Sequence, residues 1–377
     1  MNKDLITKYL DSLLEEGIPS VDCMIYKNHE PVYRYMNGLT DPDNNEKVSD
    51  ETMYLMFSMT KVQTMTAFLQ LVEKGRISLE DEVSKFLPAY GNITIQDEKT
   101  GEIHKASNVL KVKHLLSMQS GLDYNLDRLG IQRVLKEKGA KAGTRELVDS
   151  FVESPFLFEP GTHFNYSLSH DVAAAIIETV SGMSFKDYLR KNIWEPLGMQ
   201  RTFFAKPLND DVPRLAKQYI YKDEVICPME KTCNYQLSES YESGGAGLIS
   251  CTTDYALFAD TLASGGISSN GVRILNPETI EIMKTNLLCE AGIADIDNKM
   301  GRRGYGYGCG VQILLHPELI GSTAPVGLFG WDGAAGSCII MDTASQTSLV
   351  YTMHIRGYGP AYGIIHPTLR DMVFGKD

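Results

Sequence analysis

Long apolar runs are absent from this 377-residue sequence, and so are the features of a signal peptide. A membrane-crossing helix takes about 18 or more consecutive apolar residues, and no segment of the chain supplies them. The N-terminal stretch, MNKDLITKYLDSLLEEGIPS, carries charges between its leucines and lacks a small-residue cleavage site. These absences predict a cytoplasmic protein that has no membrane partner.

An excess of positive charge is missing too. The formal net charge is -12, and lysine and arginine are scattered among acidic residues rather than gathered in a patch. Such a surface would repel a phosphate backbone, which argues against nucleic acid as a partner. The content of 43% hydrophobic and 22% charged residues is typical of a folded globular chain.

Paired cysteine motifs are a third absence. The seven cysteines are odd in number and form no C-x-x-C pair. Cys227 and Cys233 lie close enough in sequence for a disulfide or a metal site, but no histidine lies near them. Buried, reduced thiols are the interpretation that we favour.

Periodic patterns at the two ends of the chain differ from those in its middle. Apolar residues at helical spacing predict a helix near the N-terminus, and residues 21–36 predict a β-hairpin around KNHEP. Helical stretches dominate up to about Lys222, whereas glycine-rich, strand-like runs return after about Ser243. We therefore predict an α/β domain built from residues 1–82 and 235–377, with a mostly helical domain, 83–234, inserted. A cleft between two such domains is a common place for an active site.

The chain contains a single S-x-x-K, in MFSMTKVQTM, where Ser58 and Lys61 stand three residues apart. If a helix begins near Ser58, both side chains lie on one face, one turn apart. A serine needs a nearby base, and the apolar neighbours of Lys61 predict burial, which lowers the pKa of a lysine. From these four residues alone, however, a helix cap at Ser58 and a solvated Lys61 are the better explanation.

Two later stretches supply further groups for such a site. In HFNYSLSHDVAAAIIE, Tyr166 precedes a helical segment, and a phenol beside a lysine in a cleft is expected to have a lowered pKa and to pass a proton. In FGWDGAAGSCIIMD, Gly333 allows close backbone approach at the start of a predicted buried strand. The next N–H, on Ala334, would then complete an oxyanion hole.

Ser58-Met59-Thr60-Lys61, Tyr166-Ser167-Leu168 and Trp331-Asp332-Gly333, in this order, resemble the three motifs of the penicillin-recognising serine hydrolases. The chain is most similar to esterase-like members of the class C β-lactamase branch, and the likeness spans about Gly38 to Ile355. It implies a fold of the α/β (α+β) class, with an antiparallel sheet flanked by helices and a mostly helical inserted domain.

The resemblance also implies what the residues do. Ser58 would be the acylated nucleophile, and Lys61 and Tyr166 would share the proton transfers. The backbone N–H groups of Ser58 and Ala334 would bind the oxyanion. The reaction would form an acyl-enzyme that water or another acceptor then attacks, and it would need no metal or cofactor.

Three positions depart from the family pattern. Leu168 stands where class C β-lactamases have an asparagine, so an amide that contacts the substrate carbonyl is lost. Trp331 replaces the lysine that usually opens the third motif, which removes a cation that attracts the β-lactam carboxylate and offers an apolar wall instead. Asp332 either binds an amine of the substrate or faces away as a strand-edge residue, and we expect the second.

Two more residues are candidates for substrate binding. Tyr124, in SGLDYN, follows a stretch that shares the family likeness and is expected to line the cleft. Arg356, in YTMHIRGYG, has the fork geometry that binds a carboxylate, although a structural ion pair explains it equally well.

These observations favour a serine hydrolase that acts on small esters or amides, most of all a carboxylesterase with weak β-lactam hydrolysis as a side activity. A D-amino-acid peptidase or acyltransferase is the second hypothesis. A silent homologue that binds an acyl or peptide ligand is the third, and a structural filament is the fourth. The intact Ser58, Lys61 and Tyr166 argue against a silent protein, because a buried unpaired lysine costs free energy. We expect a monomer or homodimer, and the physiological substrate stays open.

Overall fold

The computed structural model describes residues 1–209 and 211–375. Its helices are α1 (Lys3–Glu15), α2 (Thr60–Glu73), α3 (Val112–Leu116), α4 (Leu129–Lys138), α5 (Thr144–Asp149), α6 (Ser169–Ser181), α7 (Phe185–Leu189), α8 (Glu195–Leu197), α9 (Thr252–Ala263), α10 (Pro277–Met283), α11 (Glu290–Met300) and α12 (His366–Phe374). Its strands are β1 (Ser20–Lys27), β2 (Glu30–Asp41), β3 (Glu46–Lys47), β4 (Tyr54–Leu55), β5 (Thr94–Gln96), β6 (Ile103–Lys105), β7 (Phe203–Phe204), β8 (Tyr219–Lys222), β9 (Val225–Pro228), β10 (Leu248–Ser250), β11 (Tyr305–Tyr307), β12 (Gln312–Leu314), β13 (Phe329–Asp332), β14 (Cys338–Asp342), β15 (Thr347–Thr352) and β16 (Ile355–Arg356).

The main sheet joins the two ends of the chain. It is antiparallel and has the order β11-β12-β13-β14-β15-β1-β2-β3. Strand β1 lies between β15 and β2, with Met24 opposite Val350 on one side and Arg34 on the other. Asn28 and His29 connect β1 to β2 with positive φ angles, as a two-residue hairpin turn requires. The predicted hairpin and the antiparallel sheet are confirmed, whereas the proposed domain boundaries stay a prediction.

Helices cover both faces of this sheet. On one face, α1 and α12 share a core with the strands, in which Ile6, Leu10 and Leu369 are fully buried. On the opposite face, α9 packs against β1, β14 and β15 through residues such as Phe258 and Leu262. Because both faces are shielded from water, β14 and β15 are buried along their whole length.

Helix α2 is buried almost entirely, from Thr60 to Leu71, and packs against α6. Its polar side chains therefore need partners inside the protein. Thr64 donates a hydrogen bond to the Gly244 carbonyl at 2.7 Å. The helix ends at Glu73, and Gly75 follows in the left-handed conformation that is common just after a helix end.

No side chain of the described residues caps the start of α9. Cys251 occupies the N-cap position, and Thr252 is the first helical residue. The hydroxyl of Thr252 instead lies 2.6 Å from that of Thr352 in β15. Thr252 thus links α9 to the sheet by a side-chain hydrogen bond.

Candidate active site

Ser58 is the middle residue of a 3-10 turn, Phe57–Met59, that leads directly into α2. Phe57 has a φ of +45°, a left-handed conformation that is strained for a bulky residue. The packing of Phe57, which is fully buried, holds this conformation in place. Ser58 is 8% exposed, so this candidate nucleophile lies just below the protein surface.

Lys61 lies one turn beyond Ser58 and has no exposed surface. Its Nζ is 3.2 Å from Ser58 Oγ and donates a hydrogen bond to the Gly245 carbonyl at 2.7 Å. Burial lowers the pKa of Lys61 to about 7, although the negative charges of Asp171 and Asp332 oppose the decrease. The predicted burial of this lysine is confirmed, and near neutral pH a large fraction of it is free to accept the Ser58 proton.

Tyr166 ends the loop before α6, and its phenol accepts a hydrogen bond from Trp331 Nε1 at 3.1 Å. Nζ of Lys61 lies 4.5 Å from the centre of its ring. Burial raises the pKa of Tyr166, and its hydrogen bonds with Ser58 and Trp331 only reduce that increase. The expectation of a lowered pKa is therefore wrong, because the dry site disfavours a phenolate. Tyr166 is suited to donate a proton, and Lys61 is suited to accept one.

Trp331 and Leu168 both lie in the core beside this site. Trp331 is 1% exposed and stacks on Tyr166, with ring centres 5.6 Å apart. Leu168 is 2% exposed and precedes α6. Neither side chain therefore exposes a surface for the substrate contact that the sequence predicted. Trp331 instead orients Tyr166, because its indole N–H donates to the phenol oxygen.

Gly333 allows the loop after β13 to approach the turn that carries Ser58. A Cβ at Gly333 would lie 2.5 Å from the Met56 carbonyl oxygen, which is closer than side chains tolerate. Within the described ranges, the backbone N–H groups of Ser58 and Ala334 donate to no protein acceptor. Two unused amides beside a nucleophile are what an oxyanion hole requires, so this pair stays the prediction for that site.

Asp332 is 7% exposed and forms an ion pair with Arg302. It ends β13, where it pairs with Cys338 of β14, whereas the pairing with β12 reaches only Gly330. That Asp332 faces away from a substrate stays a prediction. The Arg302 guanidinium also lies 5.6 Å from the centre of the Trp331 ring. An amine of a substrate would have to displace Arg302 to reach this carboxylate.

Half-buried tyrosines form a wall that continues from Trp331. Tyr124 stacks on Tyr166 at a ring-centre distance of 5.8 Å, and Tyr235 meets Tyr124 edge-on at 5.6 Å. The Tyr124 hydroxyl lies 3.5 Å from Lys61 Nζ. Sequence reasoning missed Tyr235, since it lies in a loop with no motif and no periodicity.

Arg356 extends this wall of tyrosines. Its guanidinium donates to the Tyr235 hydroxyl at 3.0 Å, contacts Cys233 Sγ and lies 5.7 Å from the centre of the Phe57 ring. No carboxylate in the described part of the chain comes within ion-pair distance of Arg356, so the structural ion pair that the sequence allowed is not formed there. Its positive charge therefore stays available to a ligand.

Two groups behind Lys61 were also missed from the sequence. Asp171, in α6, is fully buried and accepts hydrogen bonds from Tyr241 and Ser243 at 2.6 and 2.7 Å. Gly245 lies between this carboxylate and Lys61. The glycines of SGGAGLIS were the available signal, because glycine marks close backbone approach, but they do not identify what approaches.

Comparison with known proteins places the chain in a family. The family model called Beta-lactamase matches residues 3–367. The chain belongs to the Beta-lactamase family. This Beta-lactamase family protein is therefore a member of a group of serine hydrolases with esterase and carboxypeptidase relatives.

Relatives of this family member include the esterase EstB of Burkholderia gladioli, at 24% identity over 97% of this chain and 93% of EstB. A putative D-alanyl-D-alanine carboxypeptidase of Escherichia coli K12 is also 24% identical, over 91% of this chain and 80% of the relative. Among solved structures, "EstCE1, a hydrolase with promiscuous acyltransferase activity" matches with a TM-score of 0.80 and 23% identity. That match covers 98% of this chain and 97% of EstCE1, and it supports the fold class expected from the sequence.

Two further observations concern the expectations about membranes and thiols. Searching the described helices finds none whose length and apolarity suffice to span a bilayer. All seven cysteines are free thiols, including Cys227 and Cys233. Of the two, Cys227 is exposed and Cys233 is half-buried, so burial is not common to all seven.

Proposed function

We propose that this protein is a serine carboxylesterase that hydrolyses small esters through an acyl-enzyme on Ser58. One observation carries the proposal: Nζ of Lys61, a buried amine with a pKa of about 7, lies 3.2 Å from Ser58 Oγ. A base at this distance with this pKa matches the requirement for activating a serine near neutral pH. The likeness to the esterase EstB over nearly the whole chain supports the same activity.

The first half of the reaction forms the acyl-enzyme. Neutral Lys61 takes the proton of Ser58, and Oγ forms a bond to the ester carbonyl carbon. The carbonyl oxygen becomes an oxyanion, which the N–H groups of Ser58 and Ala334 stabilise. The ester C–O bond then breaks, Tyr166 donates its proton to the leaving alcohol, and the Lys61 ammonium returns a proton to Tyr166.

The second half releases the acid. Water gives a proton to Lys61 and attacks the acyl carbon, the bond to Oγ breaks, and Ser58 recovers its proton from Lys61. The acyl group leaves as a carboxylic acid. An alcohol or amine in place of water would give an acyl transfer with the same proton movements.

The third motif supports esters over β-lactams as substrates. Trp331 provides no cation for the β-lactam carboxylate, and the charge of nearby Arg302 is neutralised by Asp332. The low exposure of Ser58 favours small substrates, because a bulky group around the scissile bond would not reach Oγ.

Tyr124 and Arg356, along the wall of tyrosines, are the substrate contacts that we propose. Both are half-buried, and within the described residues Arg356 donates to Tyr235 and Cys233 but to no carboxylate. An ester with a carboxylate on its acyl part would give this guanidinium an anionic partner.

Intact-mass spectrometry tests the proposal. Wild type and Ser58→Ala are each incubated with a fluorophosphonate, a short p-nitrophenyl ester and a β-lactam, and folding of both is checked by circular dichroism. We expect a covalent adduct on wild type alone, rapid release of p-nitrophenol, and slow or no turnover of the β-lactam.

Each other outcome contradicts a specific part of the proposal. Equal labelling of Ser58→Ala would exclude Ser58 as the nucleophile, and faster turnover of the β-lactam would exclude the ester preference. A product ester that dominates when an alcohol is added would favour an acyltransferase over a hydrolase. No adduct and no turnover with any reagent would favour a silent ligand-binding protein.

A further inference from the structure

Asp171 is a fully buried carboxylate with no ion-pair partner among the residues that the structure describes. Its Oδ1 accepts hydrogen bonds from Tyr241, Ser243 and the Gly245 N–H, the last at 3.3 Å. Its Oδ2 has no hydrogen-bond partner there. Burying a carboxylate in this way costs free energy unless an opposite charge compensates for it.

The backbone of Gly245 connects Asp171 to Lys61. Its N–H donates to Asp171, and its carbonyl accepts the hydrogen bond from Lys61 Nζ at 2.7 Å. A Cβ at Gly245 would lie 2.7 Å from Asp171 Oδ2 and 3.4 Å from Lys61 Nζ. The two groups are therefore within about 6 Å of each other, a distance at which charges interact strongly in a protein interior.

The other titratable groups around Lys61 do not take the place of Asp171. Asp332, from β13, is already paired with Arg302, and burial lowers the pKa of His170, from α6, to about 3, so that it is neutral. The phenols that face Lys61 or Asp171 have raised pKa values because of burial and stay neutral; they are Tyr90, Tyr124, Tyr166 and Tyr241. Among the described groups, Asp171 is thus the carboxyl group next to Lys61 that has no cationic partner of its own.

We propose that Asp171 is a positioning residue for the catalytic base: through the backbone N–H and carbonyl of Gly245 it holds Lys61 Nζ beside Ser58, and its charge stabilises the ammonium that Lys61 becomes. The inference rests on the proposed function, since it requires Lys61 to accept the Ser58 proton. In that step the Ser58 O–H bond breaks, an N–H bond forms on Lys61, and the Oγ electron pair bonds to the substrate carbonyl carbon. The positive charge formed on Lys61 then faces the negative charge of Asp171.

The pH dependence of ester hydrolysis tests this role. In wild type, kcat/KM should rise with pH through about 7, as Lys61 loses its proton. In Asp171→Asn the stabilising negative charge is absent, so Lys61 loses its proton more easily. The acidic limb of the kcat/KM profile should therefore shift to lower pH by about one unit or more. Because a less basic amine is a weaker proton acceptor, kcat on the plateau should fall by about tenfold or more, with KM little changed.

Ser243→Ala is the matched control, because it removes a hydrogen bond to the same carboxylate oxygen but leaves the charge. Its acidic limb should stay at the wild-type position even if its melting temperature falls. If the acidic limb of the Asp171→Asn pH profile coincides with that of wild type, the inference is overturned. If Asp171→Asn does not fold, Asp171→Ser, which also removes the charge, provides the same comparison.

Fluorophosphonate labelling separates this inference from the function on which it rests. If wild type is not labelled at Ser58, the proposed function fails. If wild type is labelled and hydrolyses the ester but the acidic limb does not move in Asp171→Asn, only the role of Asp171 fails.

Discussion

The burial that makes Lys61 a base also destabilises the folded protein. The pKa of Lys61 falls from 10.5 to about 7 on folding. Between these two values the unfolded chain binds more protons than the folded protein, so the free energy of unfolding rises with pH over this interval. At or below pH 7 the burial of Lys61 lowers the free energy of unfolding by nearly its full amount, on the order of a few kcal/mol.

Lys61→Met should therefore be more stable than wild type at pH 7, although it is inactive. Methionine fills a similar volume without a charge, and we expect a melting temperature a few degrees higher, with the gain gone at about pH 10.5. Thermal unfolding followed by circular dichroism at both pH values measures this. Lys136→Met, at an exposed position of α4, is the control and should show no such pH-dependent gain. A Lys61→Met variant that is less stable than wild type at pH 7 would contradict the cost assigned to burial.

Single residues were predicted well where their sequence neighbours determine their surroundings. Met56, Phe57 and Val62 flank the S-x-x-K, and all three are fully buried, as Lys61 is. The pKa direction of Tyr166 was not predictable in this way, because its surroundings come from distant segments. Asp332 shows the same limit, since its partner Arg302 lies on a separate loop that carries no motif.

At the level of secondary structure, the close approach of two segments shapes the proposed oxyanion hole. The loop after β13 meets the turn before α2 at Gly333, against the Met56 carbonyl. Gly333→Ala should push this loop away and move the Ala334 N–H, so kcat for ester hydrolysis should fall by about 100-fold. Gly359→Ala is the control, since a Cβ there meets no atom within 4 Å. Steady-state kinetics of both variants gives the answer, and a Gly333→Ala enzyme with wild-type kcat would exclude this loop from catalysis.

Local patterns predicted α1, the first hairpin and α2, because periodicity and turn residues are properties of adjacent positions. They did not predict which elements meet. The wall of tyrosines that continues from Trp331 combines Tyr124 and Tyr235 with Tyr166, from three segments that are far apart in the sequence. Only the family likeness indicated that the three motifs share one site.

At the scale of the whole molecule, the central strands come from opposite ends of the chain and should become exposed to solvent in the same unfolding event. Amide hydrogen exchange measured by mass spectrometry should give β1, β14 and β15 similar, high protection, because exposing any of them requires global unfolding. The β8–β9 hairpin, which is largely exposed, should exchange first. Exchange of β1 as fast as that of β8–β9 would mean that the N-terminal strands open independently of the rest of the sheet.

The position of β1 beside β15 also has a consequence for synthesis on the ribosome. Asp22 and Thr352 are partners in this pairing, although 330 residues separate them. At about 5–20 residues per second, translation takes roughly 15 seconds to a minute to cover that length. During this time the nascent hairpin of β1 and β2 has one apolar strand edge with no neighbour, and such an edge invites aggregation. The emerging chain is therefore a natural client for a chaperone that binds apolar segments until the last strands arrive.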